Sequence, residues 1–318
     1  IRDSDYSVRL VDYFKQVEKN GFAGTLIFQS NTNDIEPWIM SQQLLSSSST
    51  IVPFVAVNPM YMHPYTVAQK IVSLSLLHGR KVNLNFIAGA SLSDLESMSM
   101  NLSKADRYDR LAEYVEIIMQ LLTDPLPVTY SGKYYNIQNL KLSSQIDPSL
   151  LPGVYLAGSS EAARKTRARL KAGSIEMGKP LRGNYQNHQT TPKVLHFGVI
   201  ACETNELARK ILKDEFKAEY DETEEMLEIS MSNSDSQWKK QLFEEKEDDV
   251  FTMLPFRNLN SDCPYLVGDH KQVSDYLFQY MQKGVEHFII EVDDRHMEDL
   301  GVVISQLNSM IEVDEFLI

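Results

Sequence analysis

Cysteine is nearly missing from this chain: Cys202 and Cys263 are the only two in 318 residues, far apart and in no CxxC. That is too few for a disulfide scaffold or a thiolate zinc site, and it fits a reducing compartment. Long apolar runs are missing as well. The stretch at 51–57, IVPFVAV, is among the longest, against the roughly 20 residues of a bilayer-spanning helix. No secretory leader is recognisable. Basic charge is in deficit, 31 Lys and Arg against 44 Asp and Glu, for a net charge of -13, which disfavours nucleic-acid phosphates as partners. The nucleotide signatures GxGxxG and GxxxxGK[ST] and the hydrolase elbow GxSxG do not occur, which removes the usual marks of dinucleotide, P-loop and serine-hydrolase sites. The expectation is a cytoplasmic acidic protein acting on a small molecule, with no nucleic-acid and no membrane partner.

What is present is alternation. Helix-like segments at 5–20, 36–47, 64–78, 104–122 and 160–172 are separated by short apolar runs. The runs are TLIFQ (25–29), IVPFVAV (51–57), KVNLNFIAG (81–89), GVYLAG (153–158), GSIEM (173–177), VLHFGVIAC (194–202) and HFIIEV (287–292). Several are apolar throughout, as strands buried on both faces are, and helices between them supply parallel crossovers. A closed (β/α)8 barrel needs eight strands and seven are counted, so the first is expected upstream of Ile1. The alternative is an open doubly wound sheet. The span 203–249, with EYDETEEMLE and EEKEDD, reads as a charged insertion: a long helix, a break at 230–236 and a shorter helix. Its acidic runs read as a solvated face. The whole of 1–318 is expected to be one domain.

Three stretches bear on chemistry. In LAGSSEAARK (156–165) an apolar run stops at Gly158, two serines follow and a helix begins. Ser159 or Ser160 is either a helix cap or, with the free N–H groups of the helix start, a phosphate ligand. In SKADRYDRLAEYVEIIMQLL (103–122), Leu111, Val115, Ile118 and Leu122 form a core-facing stripe. Arg107 and Arg110 read as exposed, and Tyr108 as a packing residue or a cofactor contact. In YLVGDHKQVSDYLFQYMQKGVEHFIIEV (265–292), Asp269 and Gln272 have capping-box spacing and Gly284 ends the helix, so this stretch reads as structural. The seven histidines form no HxxxH and no close His–carboxylate cluster, so no metal is expected. His78 and His270 are expected to face solvent at helix ends. His196, inside VLHFGVIAC, is either core or aimed at a site.

Taken together these stretches resemble the luciferase-like flavin-dependent monooxygenases, most closely the alkanesulfonate monooxygenase branch. AGSS at the strand-to-helix turn, ADRYDRLAEYVEIIMQLL and the LVGD–helix–strand unit occur in the family's order. VNPMYMHPYTVAQKIVSLSLLHGR, VNLNFIAGASLSDL and YSGKYYNIQN (130–139), the last as a link from helix to strand, add to the match. The resemblance implies a (β/α)8 TIM barrel of the bacterial luciferase type. It also implies that reduced FMN from a separate flavin reductase and O2 oxygenate a small organic substrate. Residue by residue it assigns Gly158, Ser159 and Ser160 to the phosphate, Tyr108 to the flavin or its phosphate, and Asn85, Ala88 and Gly89 to the ring. Relatives suggest a homodimer or homotetramer.

Where the sulfonate branch keeps polar groups, this chain has Ala88, Lys104, Asp34 and His196-Phe197-Gly198, with Met177 in place of a tryptophan. A substrate other than a simple alkanesulfonate is therefore expected, with His196, Arg257, Arg295 and His296 as remaining polar candidates. His196 is the candidate for moving a proton, since imidazole titrates near neutrality. The alternatives are a non-catalytic flavin-binding barrel and an oxidoreductase using the deazaflavin F420.

Overall fold

A computed structural model describes residues 5–30, 33–89, 91–185, 192–218 and 245–315. The chain falls into two compact units, 1–18 with 23–173 and 19–22 with 174–318.

The first unit contains α1 (Tyr6–Lys19), β1 (Gly24–Ile27), α2 (Pro37–Ser47), β2 (Val52–Val57), α3 (Pro64–His78) and β3 (Asn83–Phe86). There follow α4 (Leu92–Ser97), α5 (Lys104–Thr123), β4 (Val128–Ser131), β5 (Asn136–Leu140), β6 (Val154–Ala157) and α6 (Glu161–Leu170). Strands β1, β2, β3 and β6 pair in that order, all parallel. Val55, Val57, Leu84, Phe86 and Leu156 are buried, as strands sandwiched between helices require. The helix starts follow local chemistry. Pro37 and Pro64 sit at first-turn positions where no N–H is needed. Ser103 accepts from the Asp106 N–H and caps α5. The stripe Leu111, Val115, Ile118 and Leu122 is buried as expected, but Arg107 is buried rather than exposed, at 7%.

The stretch 130–139 is not a plain link: β4 and β5 pair as an antiparallel hairpin. Its turn is anchored from α5. The buried Glu113 carboxylate accepts from the backbone N–H groups of Lys133, Tyr134 and Tyr135 at 2.7, 2.9 and 3.1 Å.

The second unit contains β7 (Gly173–Met177), α7 (Leu181–Asn184), β8 (Val194–Cys202), α8 (Asn205–Glu215), β9 (Phe251–Thr252) and α9 (Leu254–Arg257). It continues with β10 (Tyr265–Asp269), α10 (His270–Gln282), β11 (His287–Glu291) and α11 (Met297–Glu315). The nine-residue β8 organises this unit. It pairs in parallel with β7, with β11 along its first half and with β10 along its second. Gly198 faces Tyr265 on one neighbour and Glu291 on the other. Strand β10 was not among the seven expected. YLVGD is too short for periodicity to separate strand from helix, and the capping box after it was the stronger signal. That box forms as expected, with Asp269 accepting from Gln272 N and Gln272 accepting from Asp269 N.

In the charged span, α8 ends at Glu215; the expected long helix beyond it and the break at 230–236 lie largely outside the described residues. His188 also lies outside them. His270 is not solvent-facing: its ring bonds Asp299 at 2.7 Å with the side chain 15% exposed. His78 is likewise half-buried, bonded to Gln42 at 3.0 Å. Among the described residues β1 pairs with β2 alone.

Candidate active site

The first unit brings all seven of its expected cofactor residues to one end of adjacent strands. Asn85 on β3 stands in register with Tyr155 on β6; Ala88 and Gly89 follow β3 directly, and residues 158–160 follow β6. Of the two serines, one takes the cap role and the other is left unpaired. Ser160 Oγ accepts from Ala163 N at 3.2 Å and caps α6. Ser159 Oγ is buried with no hydrogen-bond partner in the structure. A buried hydroxyl left unpaired costs about 1–3 kcal/mol, so its position calls for a ligand.

The backbone leaves room for one. Gly158 has φ +117°, and a Cβ there would stand 2.8 Å from the Tyr108 hydroxyl, so a side chain would be strained and would have to displace that hydroxyl. The buried Tyr108 ring therefore lies against the turn. The Arg164 and Arg167 guanidiniums donate to the carbonyl oxygens of Ser159 and Gly158, placing two positive charges at the same turn. Asn85 Oδ1, on the neighbouring strand, is a second buried polar atom without a partner. Gly89, at φ +82°, holds its turn close to Leu95 and the Asn58 amide. Ala88 and Asn58 line a small hollow with Arg107 and Arg110. An unpaired hydroxyl, helix N–H groups and nearby guanidiniums fit a phosphate, and the orphaned Asn85 fits a polar ring edge.

In the second unit Met177 ends β7 in register with His196 on β8. His196 is joined by two residues that the sequence did not associate with it. One ligand atom each of His196, Cys263 and Glu291 lie within 4.8 Å of one another. Glu291 Oε1 accepts from the Tyr265 hydroxyl at 2.9 Å, and Oε2 accepts from Ser261 Oγ at 3.2 Å and from Cys263 Sγ at 3.5 Å. A glycine at 198 is what admits this arrangement, since a Cβ there would fall 2.1 Å from the Tyr265 ring. The three residues are 67 and 28 positions apart, so no short motif could have shown them.

Burial lowers the His196 pKa, against an opposing pull from Glu291 and Asp262, so the ring is neutral at pH 7 and offers a lone pair. Burial pushes the Cys263 thiol well above its ordinary range. A histidine whose folded pKa is depressed binds fewer protons folded than unfolded, so stability falls as pH drops below about 6.5. His196→Gln is expected to flatten the loss between the unfolded value and the lowered one, as read from urea midpoints at stepped pH. A parallel loss in wild type and variant would remove His196 as the source.

Arg257 and His296 each have a carboxylate partner. Arg257 pairs with Glu247 at 2.8 Å and donates to Glu245 O at 3.2 Å. His296 pairs with Glu215 at 3.2 Å, and Arg295 pairs with Glu215 and Asp293 at 2.9 and 2.8 Å. No hydrogen bond or ion pair among the described residues joins either Arg257 or His296 to His196.

Parallel strands with crossover helices, and a turn after β6 that leaves a buried hydroxyl unpaired, define an α/β fold with a candidate site at its strand ends. Residues 5–287 match the family model described as luciferase-like monooxygenase. The chain belongs to that family of flavin-dependent oxidoreductases, whose fold is the (β/α)8 barrel of the luciferase type. It is 30% identical over 285 residues to 4-(gamma-L-glutamylamino)butanoyl-[BtrI acyl-carrier protein] monooxygenase BtrO of Niallia circulans, covering 85% of this chain and 82% of that one. Riboflavin lyase RcaE, solved with modified FMN and riboflavin, superposes with TM-score 0.77 at 14% identity, over 96% of this chain and 85% of that one. An F420-dependent secondary alcohol dehydrogenase, solved with an F420–acetone adduct, superposes with TM-score 0.66 at 14% identity, over 95% of each chain. The BtrO match supports the family and not specifically its alkanesulfonate branch. Among the described residues no helix is long and apolar enough to cross a membrane.

Proposed function

We propose that this chain oxygenates a small organic substrate with reduced FMN and O2, the flavin arriving from a separate reductase. The observation that carries the proposal is the turn after β6. There a buried Ser159 hydroxyl without a partner sits beside a positive-φ glycine at which any side chain would be strained. Gly158, Ser159 and Ser160 would hold the phosphate, and Tyr108 would back it. Asn85, Ala88 and Gly89 would flank the ring. When bound, FMN supplies the electrons that activate O2.

The protein's own part is to bind, orient and exclude water. The N–H groups at the start of α6 and the Ser159 hydroxyl fix the phosphate end, while the buried Asn85 amide orients the polar edge. In the second unit His196 is the residue proposed to accept or return a proton, being neutral at pH 7 and close to Glu291. Arg257 and His296 carry less weight, because each already has a carboxylate partner.

The substrate is proposed not to be a simple alkanesulfonate. Ala88, Lys104 and Met177 replace polar or aromatic groups of that branch, and the relative BtrO is named for an acyl group on a carrier protein. The protein is proposed to act in the cytoplasm as a homodimer or homotetramer, which suits its acidic charge and its two unbridged cysteines. An anaerobic titration with reduced FMN and with F420 tests the cofactor. Saturable reduced-FMN binding, followed by O2 uptake on mixing with air, is the expected result. Saturable F420 binding with no O2 uptake would replace the reading with hydride transfer.

A further inference from the structure

Outside the turn after β6, the most concentrated set of ligand atoms in the described residues is that of His196, Cys263 and Glu291. They come from three places: the first half of β8, the loop entering β10 and the end of β11. The sheet itself sets the first and last of these, because β11 runs along β8 with Ile289 beside His196 and Glu291 beside Gly198. Cys263 Sγ and Glu291 Oε2 stand 3.5 Å apart. Two ligands at about 2.3 Å (sulfur) and 2.0 Å (oxygen) from a tetrahedral zinc ion span an edge of about 3.5 Å. The His196 ring nitrogen lies within 4.8 Å of both, close enough to complete a face with small side-chain adjustments.

The surroundings orient the donors. Tyr265 donates to Glu291 Oε1 at 2.9 Å and leaves Oε2 directed at the sulfur. Ser261 Oγ lies 3.2 Å from Oε2 and 3.4 Å from Sγ. Outer hydrogen bonds of this kind hold the ligands of protein metal sites in place. The imidazole is neutral at pH 7, as a ligand must be. Glu291 is exposed at the residue level while Cys263 is fully buried, so the cluster reaches from the surface inward.

We propose that His196, Cys263 and Glu291 form a three-ligand site for a divalent transition metal, zinc by its donor set, with the fourth position taken by water. Nitrogen, sulfur and oxygen together match zinc, whereas calcium and magnesium take oxygen ligands. On binding, the Cys263 S–H proton is released to solvent and the S–Zn, N–Zn and O–Zn bonds form. The Cys263–Glu291 hydrogen bond is lost, and no electrons are transferred. The site uses none of the residues assigned to the flavin, so it stands or falls apart from the cofactor reading. A metal on His196 also occupies the nitrogen lone pair that a proton would take, so zinc is expected to oppose any proton transfer there.

The test uses chelator-treated full-length protein and Co2+ as a spectroscopic stand-in, without flavin. One equivalent of Co2+ is expected to give the near-ultraviolet sulfur-to-cobalt band and the intense visible bands of tetrahedral cobalt, both abolished by added Zn2+. Cys263→Ser is expected to lose the sulfur band and Cys202→Ser to keep it. Glu291→Gln, which retains the size and neutral hydrogen bonding of the side chain, is expected to weaken Co2+ at least tenfold. It keeps the test decisive if the serine variant fails to fold. No sulfur band in the wild type, a band that survives Cys263→Ser, or unchanged affinity in Glu291→Gln overturns the proposal.

Discussion

Replacing Ser159 with aspartate is expected to weaken reduced-FMN binding about a hundredfold, and replacing it with alanine about tenfold. The alanine variant removes a single hydrogen bond to a charged group, worth about 1.5–3 kcal/mol, and tenfold is about 1.4 kcal/mol. The aspartate variant also sets a carboxylate against the phosphate. At 4 Å and an effective dielectric constant of about 20 that repulsion approaches 4 kcal/mol, and Arg164 and Arg167 at the same turn offset part of it. Ser160→Ala behaves differently, because its hydroxyl is already committed to Ala163 N. It is expected to cost about 1 kcal/mol of stability through the lost cap. Fluorescence titrations of the three variants separate the roles. Equal FMN affinity in Ser159→Asp and wild type would place the phosphate elsewhere.

Glu113→Ala is expected to be the most damaging substitution away from the site, lowering stability by about 3 kcal/mol. Its carboxylate accepts three consecutive backbone N–H groups of the β4–β5 turn, and it is only 7% exposed. Alanine leaves those donors without their acceptor, and each unsatisfied buried group costs about 1–3 kcal/mol. Glutamine keeps one acceptor oxygen but sets an amide N–H2 against backbone donors, so it is expected to recover little. Urea unfolding followed by circular dichroism measures the difference. A midpoint unmoved by Glu113→Ala would mean that the hairpin does not depend on this anchor.

Much of the fold was legible because local chemistry and tertiary packing agree. The helix at 64–78 begins at a proline and ends before a left-handed Gly79. GSIEM and VLHFGVIAC form strands with the boundaries read from the sequence. What was not legible depends on partners distant in the chain. YLVGD becomes a strand because β8 lies alongside it. Arg107 is buried although its position on a polar helix turn reads as exposed. The role of Glu113 could not be seen without the hairpin folded over it.

The candidate site divides along the same line. The turn at 158–160 is a local motif, and the sequence reduced it to cap or phosphate; only the structure shows that Ser160 is the cap and that the Ser159 hydroxyl is left unpaired. Glu291 and Cys263 carry no local signal, since their meeting with His196 requires β11 and the loop before β10 to lie against β8. His270 illustrates the converse: the end of a helix suggests solvent, yet Asp299 from α11 closes over it.

The central claim is that this luciferase-like chain holds FMN by its phosphate at the turn after β6. The most direct measurement is a paired anaerobic titration with reduced FMN and reduced riboflavin, which differ in that phosphate alone. Reduced FMN is expected to bind at least a hundredfold tighter than riboflavin, with the gap nearly closed in Ser159→Asp. Equal affinities for the two flavins in the wild-type protein would contradict the account.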